Sequence, residues 1–168
     1  MTNLAHAGPY SDKQIFGLHE QVHISDLGVG LKAKLDTGAT TSSLSAHHIK
    51  RFKRDGESWV RFQLGWHGAP AQTYELPLAR VSRIKRRADD FDPEEEKTYS
   101  ARPVVELTVH MGSRQQRIEV NLTDRSAFKY PFLLGARGLK GLGAIVDPSQ
   151  SLTAGKPDLS QPAPDLTE

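Results

Sequence analysis

The sequence predicts a mainly β domain with one or two short helices, and three observations lead there. Apolar and polar residues alternate along Trp59-Val60-Arg61-Phe62-Gln63-Leu64, along Val104-Val105-Glu106-Leu107-Thr108-Val109-His110 and along Ile118-Glu119-Val120-Asn121-Leu122, the period of a strand with one buried face. Tight glycine turns, Asp55-Gly56 and Met111-Gly112-Ser113-Arg114, stand directly before or between these runs, as hairpins require. The chain has 168 residues, 37% of them apolar, which suits one compact domain with loose ends. The expected division is a flexible N-terminus over 1–14, the domain over 15–152 and a disordered tail over 153–168, where proline, aspartate, serine and glutamine dominate.

Taken in order, Ile15 to Ile24 followed by the turn Ser25-Asp26-Leu27-Gly28 and by Leu31-Lys32-Ala33-Lys34-Leu35 reads as a hairpin leading to Asp36. Leu44, Ala46, Ile49 and Phe52 are spaced as the apolar stripe of a short helix. The strand Trp59 to Leu64 follows, and then the hairpin built from Val104 to His110 and Ile118 to Leu122. Phe132-Leu133-Leu134 ends at Gly135 before a short helix over Arg137 to Leu142 and a last apolar run, Ala144-Ile145-Val146-Asp147. No internal repeat is evident.

Composition narrows the function classes. The chain has no cysteine, which fits a reducing compartment and removes disulfides, thiolate nucleophiles and cysteine zinc sites. No apolar run is long enough to span a bilayer, and Met1 to Tyr10 lacks the basic-then-apolar build of a signal peptide. A cytoplasmic location without membrane attachment is therefore expected. A net charge of +2, with basic residues not interleaved with aromatics, gives no reason to expect direct nucleic-acid binding.

The chemically suggestive segment is Lys34-Leu35-Asp36-Thr37-Gly38-Ala39-Thr40-Thr41-Ser42-Ser43-Leu44, an aspartate between an apolar strand and small hydroxyl residues. Two carboxylates sharing one proton can activate water and polarise a carbonyl, because like charges about 3 Å apart cannot both ionise. Such a carboxylate must be held rigidly: Gly38 lets the backbone approach and its amide can donate to Asp36, while Thr37 can tie the loop to a counterpart and Ala39 keeps the floor open. A lone Asp-Thr-Gly is equally compatible with ordinary turn geometry. A second pattern, His19-Glu20-Gln21-Val22-His23, matches the metallopeptidase signature His-Glu-x-x-His. That signature needs a helix, whereas Gly17, Val22, Ile24 and the following turn favour a strand, so neither a metal nor another cofactor is expected.

Around the Asp-Thr-Gly the chain resembles the retropepsin-like aspartic peptidases, and more narrowly the bacterial RimB family, long labelled ATP-dependent zinc proteases. The resemblance rests on Ala33 to Ser42, Trp59-Val60-Arg61-Phe62, Arg102-Pro103-Val104-Val105-Glu106, Leu122-Thr123-Asp124-Arg125-Ser126, Phe132-Leu133-Leu134-Gly135 and Val146-Asp147-Pro148. It implies a closed retropepsin-like β-barrel in which Leu133, Leu134 and Gly135 run beneath the catalytic loop. Asp36 would be the catalytic carboxylate and Thr37, Gly38 and Ala39 its support. With one Asp-Thr-Gly per chain, it implies a homodimer whose second Asp36 comes from the other copy. Relatives usually carry arginine directly after Leu-Leu-Gly, where this chain has Ala136 and then Arg137, and viral retropepsins pair that arginine with an aspartate where Thr40 stands. Both partners of that ion pair are absent together, so neither charge is left unpaired.

By the same resemblance Val81 to Ala101 is the flap that closes over a peptide, with Arg83, Lys85, Arg86 and Arg87 as candidate substrate contacts on its basic arm and Glu94-Glu95-Glu96 as a competing acidic run. A solvated hairpin is the plainer reading of those charges. The functional expectation is an aspartic endopeptidase trimming acidic or polyglutamylated tails, such as that of ribosomal protein S6, beside a glutamate ligase that RimB proteins are encoded with. The alternatives are a non-catalytic regulator of that ligase and a zinc peptidase using His19, Glu20 and His23.

Overall fold

The computed structural model describes residues 8–85 and 99–160. In chain order the strands are β1 (Gln14–Gly17), β2 (His19–Ile24), β3 (Val29–Leu35), β4 (Ser42–Arg54), β5 (Glu57–Leu64), β6 (Thr73–Pro77), β7 (Arg80–Lys85), β8 (Tyr99–Met111), β9 (Arg114–Thr123), β10 (Phe132–Leu134) and β11 (Ala144–Asp147), with one helix, α1 (Ala136–Gly141), before the last strand. Strands β10, β3, β2, β8, β9 and β4 are hydrogen-bonded in that order, and β10 also pairs with β4. The six strands thus close into a barrel. Closure removes sheet edges around the ring and encloses the core, where Ile24, Leu35, Leu44, Leu107, Leu122 and Phe132 are fully buried.

The hairpins form where sequence alternation and turn chemistry agree. β2 and β3 pair antiparallel from His19↔Lys34 to Ile24↔Val29. Their turn ends at Gly28 with φ 64°, a conformation that costs glycine little. Asp26 in that turn accepts the Thr108 backbone N–H at 2.6 Å, docking the turn on β8. Asp55 (φ 49°) and Gly56 (φ 80°) make the left-handed pair that reverses β4 into β5. β5 and β6 extend outward from the barrel, and the Tyr74 hydroxyl donates to the Leu27 carbonyl at 3.1 Å, anchoring that extension.

One expected element differs. The segment Leu44 to Phe52, read as a short helix, lies within the 13-residue strand β4. Ser42 through Ala46 are all buried, because this stretch pairs with β9 on one side and β10 on the other. Its pairing with β5 is irregular between His47 and Lys50, and His48 takes a positive φ of 52°. That bulge shifts the period-two pattern by one residue, which accounts for the helix-like three-residue step from Ala46 to Ile49.

Part of the C-terminal segment touches the domain: the Leu152 N–H donates to His19 O at 2.8 Å, the Ala154 N–H to the Glu20 carboxylate at 3.1 Å and the Asp158 N–H to Gly112 O at 2.8 Å. Backbone donors thus meet fixed acceptors on β2 and on the β8–β9 turn, which the polar composition does not reveal. Residues 161–168 fall outside the described part. Among the described residues no helix is long and apolar enough to cross a membrane.

Candidate active site

Three strands position Asp36. It follows β3, and β10 runs parallel to β3 with Leu134 opposite Leu35, while pairing antiparallel to β4 on its other side. The loop 36–41 that joins β3 to β4 therefore arches over the strand inserted between them. Backbone bonds tie the arch to its support. The Asp36 N–H donates to Leu134 O at 2.9 Å, the Ala136 N–H to Ala39 O at 2.7 Å and the Arg137 N–H to Thr40 O at 3.2 Å.

Gly135 is required at the crossing. A Cβ there would lie 2.9 Å from Ala39 O, from Thr41 C and from Thr41 O, all backbone atoms that cannot rotate aside. Its N–H donates to the buried Ser42 hydroxyl at 2.9 Å, so the small hydroxyl residue after the loop also holds β10. Gly138 in α1 is similarly confined, a Cβ meeting Leu134 Cδ1 at 2.9 Å. The short helix thereby packs directly behind the loop.

The Asp36 carboxylate is half-buried and its Oδ1 accepts the Gly38 N–H at 2.9 Å. This bond fixes the position of one carboxylate oxygen. Thr37 and Gly38 are exposed, and Ala39 is half-buried. A cleft of about 430 Å³ opens beside the loop, with Thr40, Thr41 and Ser43 on one side and Leu133 at its floor.

The opposite wall is β7, which pairs antiparallel with the start of β8 from Arg80↔Val104 to Lys85↔Tyr99. These strands are the two arms of the hairpin expected as a flap. Arg83 lines the cleft and Lys85 is exposed on the same arm without lining it. Arg86 and Arg87, with the acidic run Glu94 to Glu96, lie outside the described residues.

Two further cations line the cleft: Arg102, on β8, and Arg125, after β9. Both stand within segments that carried the family resemblance, but their sequence neighbours give no sign that a fold would bring them together. Arg125 is 8% exposed, and its guanidinium lies 4.5 Å from the Phe128 ring centre. Burial, and then repulsion from Arg102, push the Arg125 pKa down, while the charge of Asp36 pushes it up. Burial likewise lowers that of Arg102, whose Nη1 donates to Asn121 Oδ1 at 3.4 Å.

The His-Glu-x-x-His segment is strand β2. Glu20 is fully buried, whereas His19 and His23 are half-buried on the alternate face. Four residues of strand separate the histidines by about 13 Å along the chain, against one helical turn in the metallopeptidase motif. Each residue has another task. Glu20 accepts the Ala154 N–H through both oxygens at 3.1 Å, His19 stacks on Tyr130 with ring centres 4.3 Å apart, and His23 lies edge-on to His110 at 6.0 Å.

Comparison with known proteins agrees with this geometry. Residues 15–157 match the family described as RimB-like, retropepsin-like aspartic endopeptidase RimB. A solved structure of protein Lpg0085 from Legionella pneumophila, of unknown function (DUF785), superposes with a TM-score of 0.67 at 31% identity, covering 83% of this chain and 97% of that one. Proteins named "Probable alpha-L-glutamate ligase" are 34% identical over 149 residues in Shewanella pealeana and 32% identical over 154 residues in Parasynechococcus marenigrum. These matches cover 86% and 89% of this chain but 31% and 30% of the relatives, so the chain spans about a third of their length. From the match across nearly the whole barrel and the Asp-Thr-Gly loop seated over β10, the chain belongs to the RimB-like family of retropepsin-like aspartic endopeptidases.

Proposed function

We propose that the chain is an aspartic endopeptidase that works as a homodimer, each copy contributing Asp36, and that it cuts acidic or glutamate-extended protein tails. The observation that carries the reading is the Asp36 carboxylate, held by the Gly38 N–H on a loop braced over β10. In the proposed reaction one Asp36 is ionised and the other protonated. The ionised carboxylate takes a proton from water as the water oxygen bonds to the scissile carbonyl carbon, and the protonated one gives its proton to the carbonyl oxygen. Collapse of the resulting diol, with proton transfer to the leaving nitrogen, breaks the C–N bond. A twofold axis beside the loop brings the carboxylates together. The two-stranded β1–β11 sheet, with Ile15 58% exposed, offers an apolar edge for the second copy.

The acidic-substrate part of the proposal draws on the cationic cleft and on the ligase-named relatives, in which a domain like this one forms about a third of the chain. On this reading the enzyme shortens what a glutamate ligase lengthens, a tail such as that of ribosomal protein S6, in the cytoplasm. Those relatives also favour a second reading, in which the barrel regulates a ligase without cleavage. The deciding experiment mixes wild type with an excess of Asp36→Asn protein and follows cleavage of a glutamyl peptide. A shared site predicts that activity falls as mixed dimers form, and that it is lost when wild type is diluted into monomers. Specific activity unchanged through both treatments rejects the shared site, while ligase modulation that survives Asp36→Asn selects the regulatory reading.

A further inference from the structure

Arg125, which is buried, and Arg102, which is half-buried, carry guanidiniums in the cleft that form no ion pair among the described residues. The Nε atoms of Arg102 and Arg125 and the hydroxyl of Ser43 are buried without a hydrogen-bond partner among the described residues. Several other arginines are matched by carboxylates: Arg80 by Glu119, Arg117 by Asp26 and Glu106, and Arg54 and Arg61 by Glu75. Keeping a buried and a half-buried like charge unmatched costs stability, and buried polar atoms such as the two Nε groups are normally satisfied. An anion that arrives from outside resolves both deficits.

The geometry points to a carboxylate-binding subsite formed by Arg102, Arg125 and Ser43 in the cleft beside the Asp36 loop, taking an acidic group of the bound peptide. The planar guanidinium fork suits a carboxylate, which can accept from two N–H groups at once, and the Ser43 hydroxyl is a third donor on the opposite wall. Asn121 orients Arg102 through its Oδ1, and Phe128 holds the Arg125 guanidinium from its ring face. Arg83 on β7 also lines the cleft. Leu133 supplies an apolar floor for the methylenes that carry the acid. The cleft is lined by Ala39, Thr40 and Thr41 of the Asp36 loop, and the Asp36 charge is felt by Arg125, so an acid seated here lies beside that loop. This subsite deepens the peptidase proposal and rests on it for the nature of the ligand.

Binding can be measured without turnover. Asp36→Asn protein is titrated with three fluorescent peptides: a C-terminally amidated glutamyl peptide, its glutamine counterpart, also amidated, and the glutamine peptide with a free C-terminus. The subsite predicts that one carboxylate-bearing peptide binds at least roughly tenfold more tightly than the amidated glutamine peptide, the scale of a charged hydrogen bond. Which one does so identifies the acid as a side chain or a chain end. Combining Asp36→Asn with Arg102→Met and Arg125→Met removes the preference, and the corresponding lysine variants keep only part of it. The lysine pair decides the matter if the methionine pair does not fold. Equal binding of all three peptides, or a preference unchanged in the folded variants, overturns the subsite. Discrimination by Asp36→Asn protein together with wild type that cleaves none of the peptides retains the subsite and rejects the peptidase reading, whereas wild-type cleavage without discrimination does the reverse.

Discussion

Asp36→Asn separates the chemical role of this residue from its structural one. The loop is held chiefly by backbone bonds, Asp36 N–H to Leu134 O, Ala39 N–H to Asp36 O, Ala136 N–H to Ala39 O and Arg137 N–H to Thr40 O, and all of these survive the substitution. The side chain adds one bond, from the Gly38 N–H to Oδ1 at 2.9 Å, and the asparagine carbonyl oxygen can accept it in the same place. What is lost is the difference between a charged and a neutral acceptor in a half-buried position, about 1 kcal/mol. That corresponds to a thermal midpoint lowered by about 2–4 °C for a domain of this size. On the proposed peptidase reading the chemical cost is larger, because an amide can neither take the proton of water nor share one with a second Asp36. Positioned proton transfer contributes about 10²–10⁴-fold, so turnover of a glutamyl peptide should fall by at least about a hundredfold. The assay pairs initial rates on a quenched peptide with a calorimetric melt of the same preparation. Turnover within tenfold of wild type, in a protein whose midpoint has moved by no more than these few degrees, refutes the assignment of Asp36 as the reacting group.

Two further outcomes follow from the structure. Gly135→Ala places a methyl 2.9 Å from three backbone atoms of the Asp36 loop; the expected cost is about 1–3 kcal/mol, read as a lower melting midpoint, and on the proposed peptidase reading cleavage falls even where the protein remains folded. His110 is buried and its pKa is lowered by desolvation and then by His23, against a smaller upward pull from Asp26. Below the unfolded value of about 6.5 the unfolded chain therefore binds this proton more readily than the folded one. Stability should consequently decline as pH falls from 6.5 through the folded pKa. His110→Gln, which keeps a polar partner for Ser25, should flatten that part of the stability profile in chemical unfolding titrations.

The strands with clear alternation were legible in the sequence, since a period of two forces one face inward whatever lies opposite. β3, β5 and the β8–β9 hairpin are examples, and their turns carry glycines at positive φ, Gly56 and Gly112. The Asp36 loop was legible too, because Asp36-Thr37-Gly38 and Leu133-Leu134-Gly135 each encode local requirements: an amide near a carboxylate and a crossing too close for a Cβ. β4 was misread, as its bulge at His47 to Lys50 depends on partners distant in the chain. The attachment of residues 153–160 depends likewise on the carboxylate of Glu20, more than a hundred residues earlier. The sequence by itself therefore determined the alternating strands, their turns and the presence of Asp36. Only tertiary structure decided that Arg102 and Arg125 meet in one cleft beside it, and that His19, Glu20 and His23 divide between two faces of a strand. Local pattern records the periodicity of a segment and its turns, whereas the identity of its neighbours is set when a closed barrel brings distant segments together.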